Sequence, residues 1–234
     1  MSNPPKKDQL TDWYQKIGCK APKEDKNFKK TYIEPNSRIL CLGQSGCGKT
    51  SFVMEYLSRC GSKFYDIYLF CGAGSDEPIY NFLQHKIPEM KVYEDIEEFP
   101  SIEDIENDGH EKLCIIDDFI TLNKKQMKKI ERWVIASRKK NFTLILMSQN
   151  LSSVPSLIRR NIQYFVIFQM NDLFVIKFFL KNYGFKLPIQ TIINIYEYSI
   201  KEFKSFFLID TIAKNPITRY RKNFLEFLNP ADFS

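Results

Sequence analysis

An α/β fold, with a mostly parallel sheet covered by helices on both faces, is predicted from three observations. Runs such as Arg38–Leu42, Leu113–Ile116 and Thr143–Met147 are apolar at successive positions, so each strand must be buried on both sides. Between them lie stretches with helical spacing, among them 49–59 and 124–139. Strand and helix alternate along the chain, which is the pattern of parallel strands joined by helical crossovers.

The 234 residues suffice for one substantial core but not for a second large domain. Apolar residues make up 44% and charged residues 26%, which excludes a disordered chain and a miniprotein dependent on metal or disulfides. Residues 1–30 contain Pro4, Pro5 and Pro22 among many lysines and read as a basic flexible arm, with Trp13, Tyr14 and Ile17 able to dock as one short helix. A single domain over 31–234 is expected to follow, its core starting near Tyr32.

Pro35, Asn36 and Ser37 supply a turn into the strand 38–42; a loop spans Gly43 to Gly48, and the helix 49–59 buries Phe52, Val53, Tyr56 and Leu57. A second strand is expected at 66–70, then a short helix around 79–84. The acidic stretch after it alternates too poorly to assign. The next strand is 113–116, and in the helix 124–139 Met127, Ile130 and Val134 share one face while Lys125, Lys129 and Arg132 share another. Strands at 143–147 and 164–168 complete the parallel set, and the aromatic-rich C-terminal segments 172–183, 192–198 and 203–209 are expected to complete the sheet edge. The 20 phenylalanines and 12 tyrosines fall mostly at strand or helix spacing, which makes them core rather than a base-stacking surface.

Charge is segregated. Residues 1–30 carry eight lysines against four acids, residues 89–111 carry ten acids, and residues 124–140 carry eight basic side chains against Glu131. Opposite fields on one chain suit an anionic partner or head-to-tail contact between copies. The six cysteines form no CxxC pair and the chain has two histidines, so local zinc-ligand spacing is absent and a reducing compartment fits. No leader-like segment opens the sequence, and Lys177 interrupts the apolar run 173–180, so neither a signal peptide nor membrane insertion is expected.

The stretch Gly43-Gln44-Ser45-Gly46-Cys47-Gly48-Lys49-Thr50 fits GxxxxGK[ST], placed between a strand and a helix as phosphate binding requires. Its glycines permit close backbone approach, leaving N–H groups through Ser51 and the helix N-terminus to face phosphate oxygens. Lys49 would reach the β- and γ-phosphates and the Thr50 hydroxyl would take part in magnesium binding. Cys47 is a tolerated small residue whose exposure would make the loop oxidant-sensitive. Downstream, Asp117 and Asp118 end an apolar strand on the ligand side of a parallel sheet. Asp117 is the metal candidate and Asp118 the group to polarise the attacking water. Gln149 ends the following strand and would lie near the γ-phosphate if that strand inserts between the loop strand and the Asp117 strand. No NKxD-like guanine-reading motif follows, which disfavours a GTPase.

Together GQSGCGKTS at 43–51, LCIIDDF at 113–119, ASRKKN at 136–141, LILMSQN at 144–150 and VPSLIRRN at 154–161 resemble the genome-packaging ATPases of large double-stranded DNA viruses, of the poxvirus and virophage type. These are similar in turn to the wider FtsK/HerA class of P-loop DNA motors. The resemblance, covering about 35–175, implies a P-loop NTPase with an additional strand between the Walker A and Walker B strands, using ATP and Mg2+. It further implies a homo-oligomeric ring, pentamer or hexamer, that pumps double-stranded DNA, a capsid or portal-vertex partner, and a place in the virion or at assembly sites in the host cytoplasm. By position it assigns Lys49 and Thr50 to phosphate and magnesium, Asp117 to the metal, Asp118 to catalysis and Gln149 to sensing. Arg138, or else Arg160, is implied as the arginine that completes a neighbouring subunit's site. Much of the wider class has glutamate where Asp118 stands. Other readings are a DNA- or assembly-linked ATPase such as a helicase, and a small-molecule kinase, for which the glutamine and later arginines explain less.

Overall fold

The computed structural model describes residues 16–17, 25–72, 78–117, 119–170, 177–178 and 187–234. Among them the chain builds a nine-stranded sheet. In chain order the strands are β1 (Arg38–Leu42), β2 (Asp66–Phe70), β3 (Lys91–Tyr93), β4 (Lys112–Ile116), β5 (Phe142–Ser148), β6 (Tyr164–Ile167), β7 (Phe207–Asp210), β8 (Tyr220–Lys222) and β9 (Glu226–Phe227). The spatial order is β3-β2-β4-β5-β1-β6-β7-β8-β9, so β5 stands between β1 and β4, as the sequence reading expected. Strands β3 to β6 are parallel in this order, and β7, β8 and β9 extend the sheet antiparallel.

The period-two alternation sorts the strand side chains into two cores. Leu40, Leu42, Cys114, Ile116, Leu144, Leu146, Phe165 and Ile167 face one way. Ile39, Cys41, Leu113, Ile115, Ile145, Met147, Tyr164 and Val166 face the other. Helix α1 (Phe28–Thr31) precedes β1, and helices α2 (Lys49–Cys60), α3 (Pro78–Lys86), α4 (Lys124–Ala136), α5 (Ser156–Asn161) and α6 (Ile189–Ser199) lie between successive strands. Phe52, Val53, Tyr56 and Leu57 of α2 and Tyr80 and Leu83 of α3 cover the second face. Ile130, Trp133 and Val134 of α4, Ile158 of α5 and Ile192, Ile195 and Tyr196 of α6 cover the first. The helix expected over 124–139 is α-helical only to Ala136, then tightens into a 3-10 turn over Ser137–Lys140 that Asn141, at φ 59°, turns into β5. Asn123 starts it with a reciprocal capping box, its side chain accepting from Lys125 N and Gln126 N while Gln126 Oε1 accepts from Asn123 N.

Three segments differ from expectation or went unassigned. The aromatic-rich 192–198 stretch does not extend the sheet edge: it is the core of α6, because Ile192, Ile195 and Tyr196 recur at helical spacing and lie buried on one side. Most of 172–183 lies outside the described residues. The acidic stretch forms β3 and then a buried-anchored loop, with Ile96, Phe99, Ile102 and Ile105 packed under α4. There Phe99 stacks on Trp133 at 4.9 Å, and Trp133 Nε1 donates to Pro100 O at 2.9 Å. Lys129 Nζ donates to Ile96 O at 2.8 Å, and Lys140 Nζ donates to Ile105 O. Lys129 therefore serves the fold rather than a free basic face; Lys124, Lys125, Lys128 and Arg132 stay exposed.

Residues 25–31 are fastened to the body. Lys63 Nζ donates to Asp25 Oδ2 at 2.8 Å. The fully buried Arg221 guanidinium donates to Thr31 O at 2.6 Å, Tyr32 O at 3.1 Å and Phe224 O at 3.2 Å. A buried cation bonded to three carbonyls, with Asp210 Oδ2 3.8 Å from Nη2, joins the N-terminal turn to the far, antiparallel end of the sheet. No helix among the described residues is long and apolar enough to cross a membrane.

Candidate nucleotide site

Strand β1 ends at Leu42 between β5 and β6, and the chain then has to turn in little space. Gly43 N donates to Ser148 O at 3.3 Å, and Phe168 N donates to Leu42 O at 2.8 Å. A Cβ on Gly43 would stand 2.4 Å from Cys47 Sγ and 2.7 Å from Phe168 Cβ, so only glycine fits there. Gly48 closes the loop at φ 118°, where an L side chain is strained, and its N-terminal position makes it the cap of α2. The first bond back into the loop runs from Phe52 N to Gly48 O at 2.9 Å. The amides of the first α2 residues, Lys49 to Ser51, thus remain available at the positive end of a helix. Lys49 Nζ donates to Gly43 O at 2.8 Å and Gln44 O at 2.9 Å, so its ammonium is held at the rim of the cradle by carbonyls with which a phosphate oxygen would compete.

The acid and the amide come from the neighbouring strands. Asp117 leaves the end of β4, its N–H donating to Phe70 O at 2.8 Å. Gln149 follows the last residue of β5, and the parallel register of Leu42 with Ser148 sets it beside the phosphate loop. Ser45, Gly46, Gly48, Lys49, Thr50, Ser51, Asp117 and Gln149 line one cleft of about 300 Å³. Gly43 lies beneath it, Gln44 is exposed on the loop, and Cys47 is half-buried. Burial pushes the Cys47 thiol up from its ordinary value despite the opposing charge of Lys49, which favours the less reactive thiol form. Asp118 lies outside the described residues.

Arg138 and Arg160 are not in the cleft. Arg138 sits in the turn before β5, and the seven residues of that strand separate it from Gln149 by about 23 Å at about 3.3 Å per residue. Arg160 is exposed near the end of α5, shortly before β6 begins, at the same far edge of the sheet.

Three lining residues had no motif to announce them: Cys71, Tyr80 and Lys204. Tyr80 is delivered by the packing of α3, and its hydroxyl donates to Asp117 Oδ2. Lys204 arrives from the antiparallel part of the chain. The donor set suits magnesium, because Thr50 offers a hydroxyl and Asp117 a carboxylate, both hard oxygen donors, from two elements that meet in the cleft. Among the described residues no group of three or more His, Cys, Asp or Glu side chains is arranged to hold a metal. An ion here would need phosphate and water oxygens to complete its shell, as magnesium sites on nucleotides do.

Strands in this order, with a glycine loop between β1 and α2, an acid at the end of β4 and an amide at the end of the intervening β5, define a P-loop NTPase. The chain belongs to the Poxvirus A32 protein family, whose model matches residues 24–215. No curated protein matches it in sequence. Among solved structures it is similar to B204, the DNA-packaging ATPase from Sulfolobus Turreted Icosahedral Virus, at 14% identity and a TM-score of 0.57 over 82% of this chain and 98% of that one. The genome-packaging NTPase B204 from Sulfolobus turreted icosahedral virus 2 in complex with AMPPCP gives 13% identity and a TM-score of 0.59 over 81% and 98%. EssC (ATPases 2 and 3) from Geobacillus thermodenitrificans gives 12% and 0.53 over 84% of this chain and 40% of that one. At these identities the likeness is one of fold.

Proposed function

We propose that this protein is a magnesium-dependent ATPase that, as a homo-oligomeric ring, drives double-stranded DNA into a viral capsid. The observation that carries the reading is the convergence of the phosphate loop, Asp117 and Gln149 on one cleft, in a chain of the Poxvirus A32 family. The AMPPCP complex of the similar B204 protein supports ATP as the nucleotide. In this reading the amides of Lys49 to Ser51, with those of the loop 43–48 other than Gly43 N and Cys47 N, which are bonded to Ser148 O and Gln44 O, cradle the phosphates, and Lys49 leaves its two carbonyl partners for the β- and γ-phosphates. Thr50 and Asp117 hold magnesium, which offsets phosphate charge. Asp118 polarises the attacking water and Gln149 orients it or reports the γ-phosphate. Charge developing in the transition state is met by an arginine of the next subunit, Arg138 first and Arg160 second. The basic segment 1–30 and the exposed lysines of α4 serve the DNA backbone or a capsid or portal-vertex partner, at the virion or the site of assembly.

The test is ATP turnover with and without linear duplex, over protein concentrations that span ring assembly. Duplex should stimulate turnover, and fluorescence anisotropy on unrelated duplexes should give similar affinities that fall steeply with salt as counterions are released. Salt-insensitive binding, or strong preference for one sequence, would refute a pump.

Asp118→Asn separates the two acids. Nucleotide and magnesium affinity should persist in calorimetry while kcat drops by about a hundredfold or more, because the carboxylate is needed chiefly in the transition state. Loss confined to magnesium affinity would make Asp118 a metal ligand instead.

A further inference from the structure

We propose that Lys204 is a nucleotide-binding residue, its ammonium serving the α-phosphate and ribose end of a nucleotide seated on the phosphate loop; this rests on the nucleotide reading above. The topology brings it there. Strand β7 runs antiparallel to β6, pairing Phe207 with Ile167, so the turn that precedes β7 emerges at the same edge of the sheet as the end of β1. The turn is built to hold its shape. Ser205 N and Oγ both donate to Glu202 O, at 3.1 and 2.6 Å, and Glu202 is ion-paired to Lys222 of β8. Phe206 N donates to Asn223 Oδ1 at 3.2 Å and Asn223 N returns to Phe206 O at 2.9 Å.

At its tip Lys204 adopts φ 64°, the left-handed region that a lysine seldom occupies. The conformation lays the stem against the phosphate loop: Lys204 Cβ and Cγ each lie 3.2 Å from where a Gly48 Cβ would stand. Lys204 lines the cleft, makes no ion pair among the described residues, and carries its Nζ 5.3 Å from the centre of the exposed Phe203 ring. An exposed cation whose stem a left-handed turn holds against the phosphate loop, with no carboxylate partner among the described residues, is suited to an anion.

Position decides which part of the anion. In the strand order β4-β5-β1-β6-β7, Asp117 and Gln149 come from one side of the phosphate loop and Lys204 from the other. If the terminal phosphate points toward Asp117 and Gln149, the α-phosphate and nucleoside point toward Lys204. Lys49 and Lys204 would then divide the polyphosphate, and Lys204 would bind di- and triphosphates alike. Binding that does not distinguish ground state from transition state changes KM and leaves kcat nearly alone.

Calorimetry on the full chain with ADP and with AMPPCP tests this, using Lys204→Gly, which suits the positive φ, beside Lys204→Ala and Lys204→Arg. Both neutral variants should raise Kd for both nucleotides by about tenfold, with Lys204→Arg recovering most of the loss. KM for ATP should rise in parallel while kcat changes by less than about twofold, and thermal melting should not fall in Lys204→Gly. Unchanged Kd in the glycine and alanine variants, with wild type binding normally, would overturn the proposal alone. A loss of kcat at unchanged Kd would overturn it too, by moving Lys204 to the terminal phosphate. Failure of wild type to bind either nucleotide would remove the nucleotide reading itself, and this proposal with it.

Discussion

Lys49→Ala and Asp117→Asn should each leave a folded protein in which ATP turnover has fallen by about a thousandfold or more. Neither substitution is expected to unfold the chain. Lys49 contacts the carbonyls of Gly43 and Gln44 on a loop open to solvent, so its truncation leaves water to satisfy them. Asparagine keeps the shape of Asp117 and an oxygen to accept the Tyr80 hydroxyl. The chemistry is another matter. In the proposed mechanism, loss of Lys49 removes the mobile positive charge that would follow the γ-phosphate, and loss of the carboxylate at 117 removes the anionic group that would hold magnesium. Turnover measured beside thermal melting checks both effects. Near-wild-type hydrolysis by either variant, in preparations free of contaminating ATPase, would overturn the site assignment.

What the sequence disclosed and what it hid follow a physical division. Strands buried on both faces announce themselves by unbroken apolar runs, so β1, β2, β4, β5 and β6 were legible to within a residue or so. The phosphate loop was legible because its geometry depends on glycines at fixed spacing, and Asp117 because it ends a strand that can be recognised. Strand order was foreseen only through Gln149 and the family resemblance. The short strands β3, β8 and β9 were not seen, since each takes its pairing from a neighbour and has too few residues to show a period. The acidic stretch hid its anchors Ile96, Phe99, Ile102 and Ile105 among exposed carboxylates. Tyr80 and Lys204 reach the cleft through tertiary packing across the sheet, a relation that local spacing does not encode.

Mixing Arg138→Ala protomers with Lys49→Ala protomers should restore part of the ATP turnover that each lacks alone. The position of Arg138 makes this the sharpest test of a ring. It stands at the edge of the sheet where β5 begins, roughly 20 Å or more from the cleft where β5 ends, so it cannot serve its own phosphate loop. It can serve another's only if one protomer's far edge meets the next protomer's cleft, and that is the heterologous, head-to-tail contact from which rings are closed. The side chain is also free to do so: Arg138 is exposed while Trp133, Val134 and Ser137 around it are buried, so alanine there disturbs no packing. Removing it relieves the nearby Arg38 guanidinium, whose pKa is lowered by burial first and by the charge of Arg138 second. Folding should therefore survive and ATP binding should persist, with turnover lost for want of charge at the γ-phosphate. In a mixed ring some interfaces join an intact Lys49 cleft to an intact Arg138, and recovered turnover should grow with protein concentration as those interfaces form. If Arg160→Ala complements in the same assay and Arg138→Ala is fully active, the role passes to Arg160. If neither arginine variant is rescued despite demonstrated co-assembly, and wild-type monomer hydrolyses ATP at the full rate, hydrolysis needs no neighbour and both arginines are charges facing solvent or DNA.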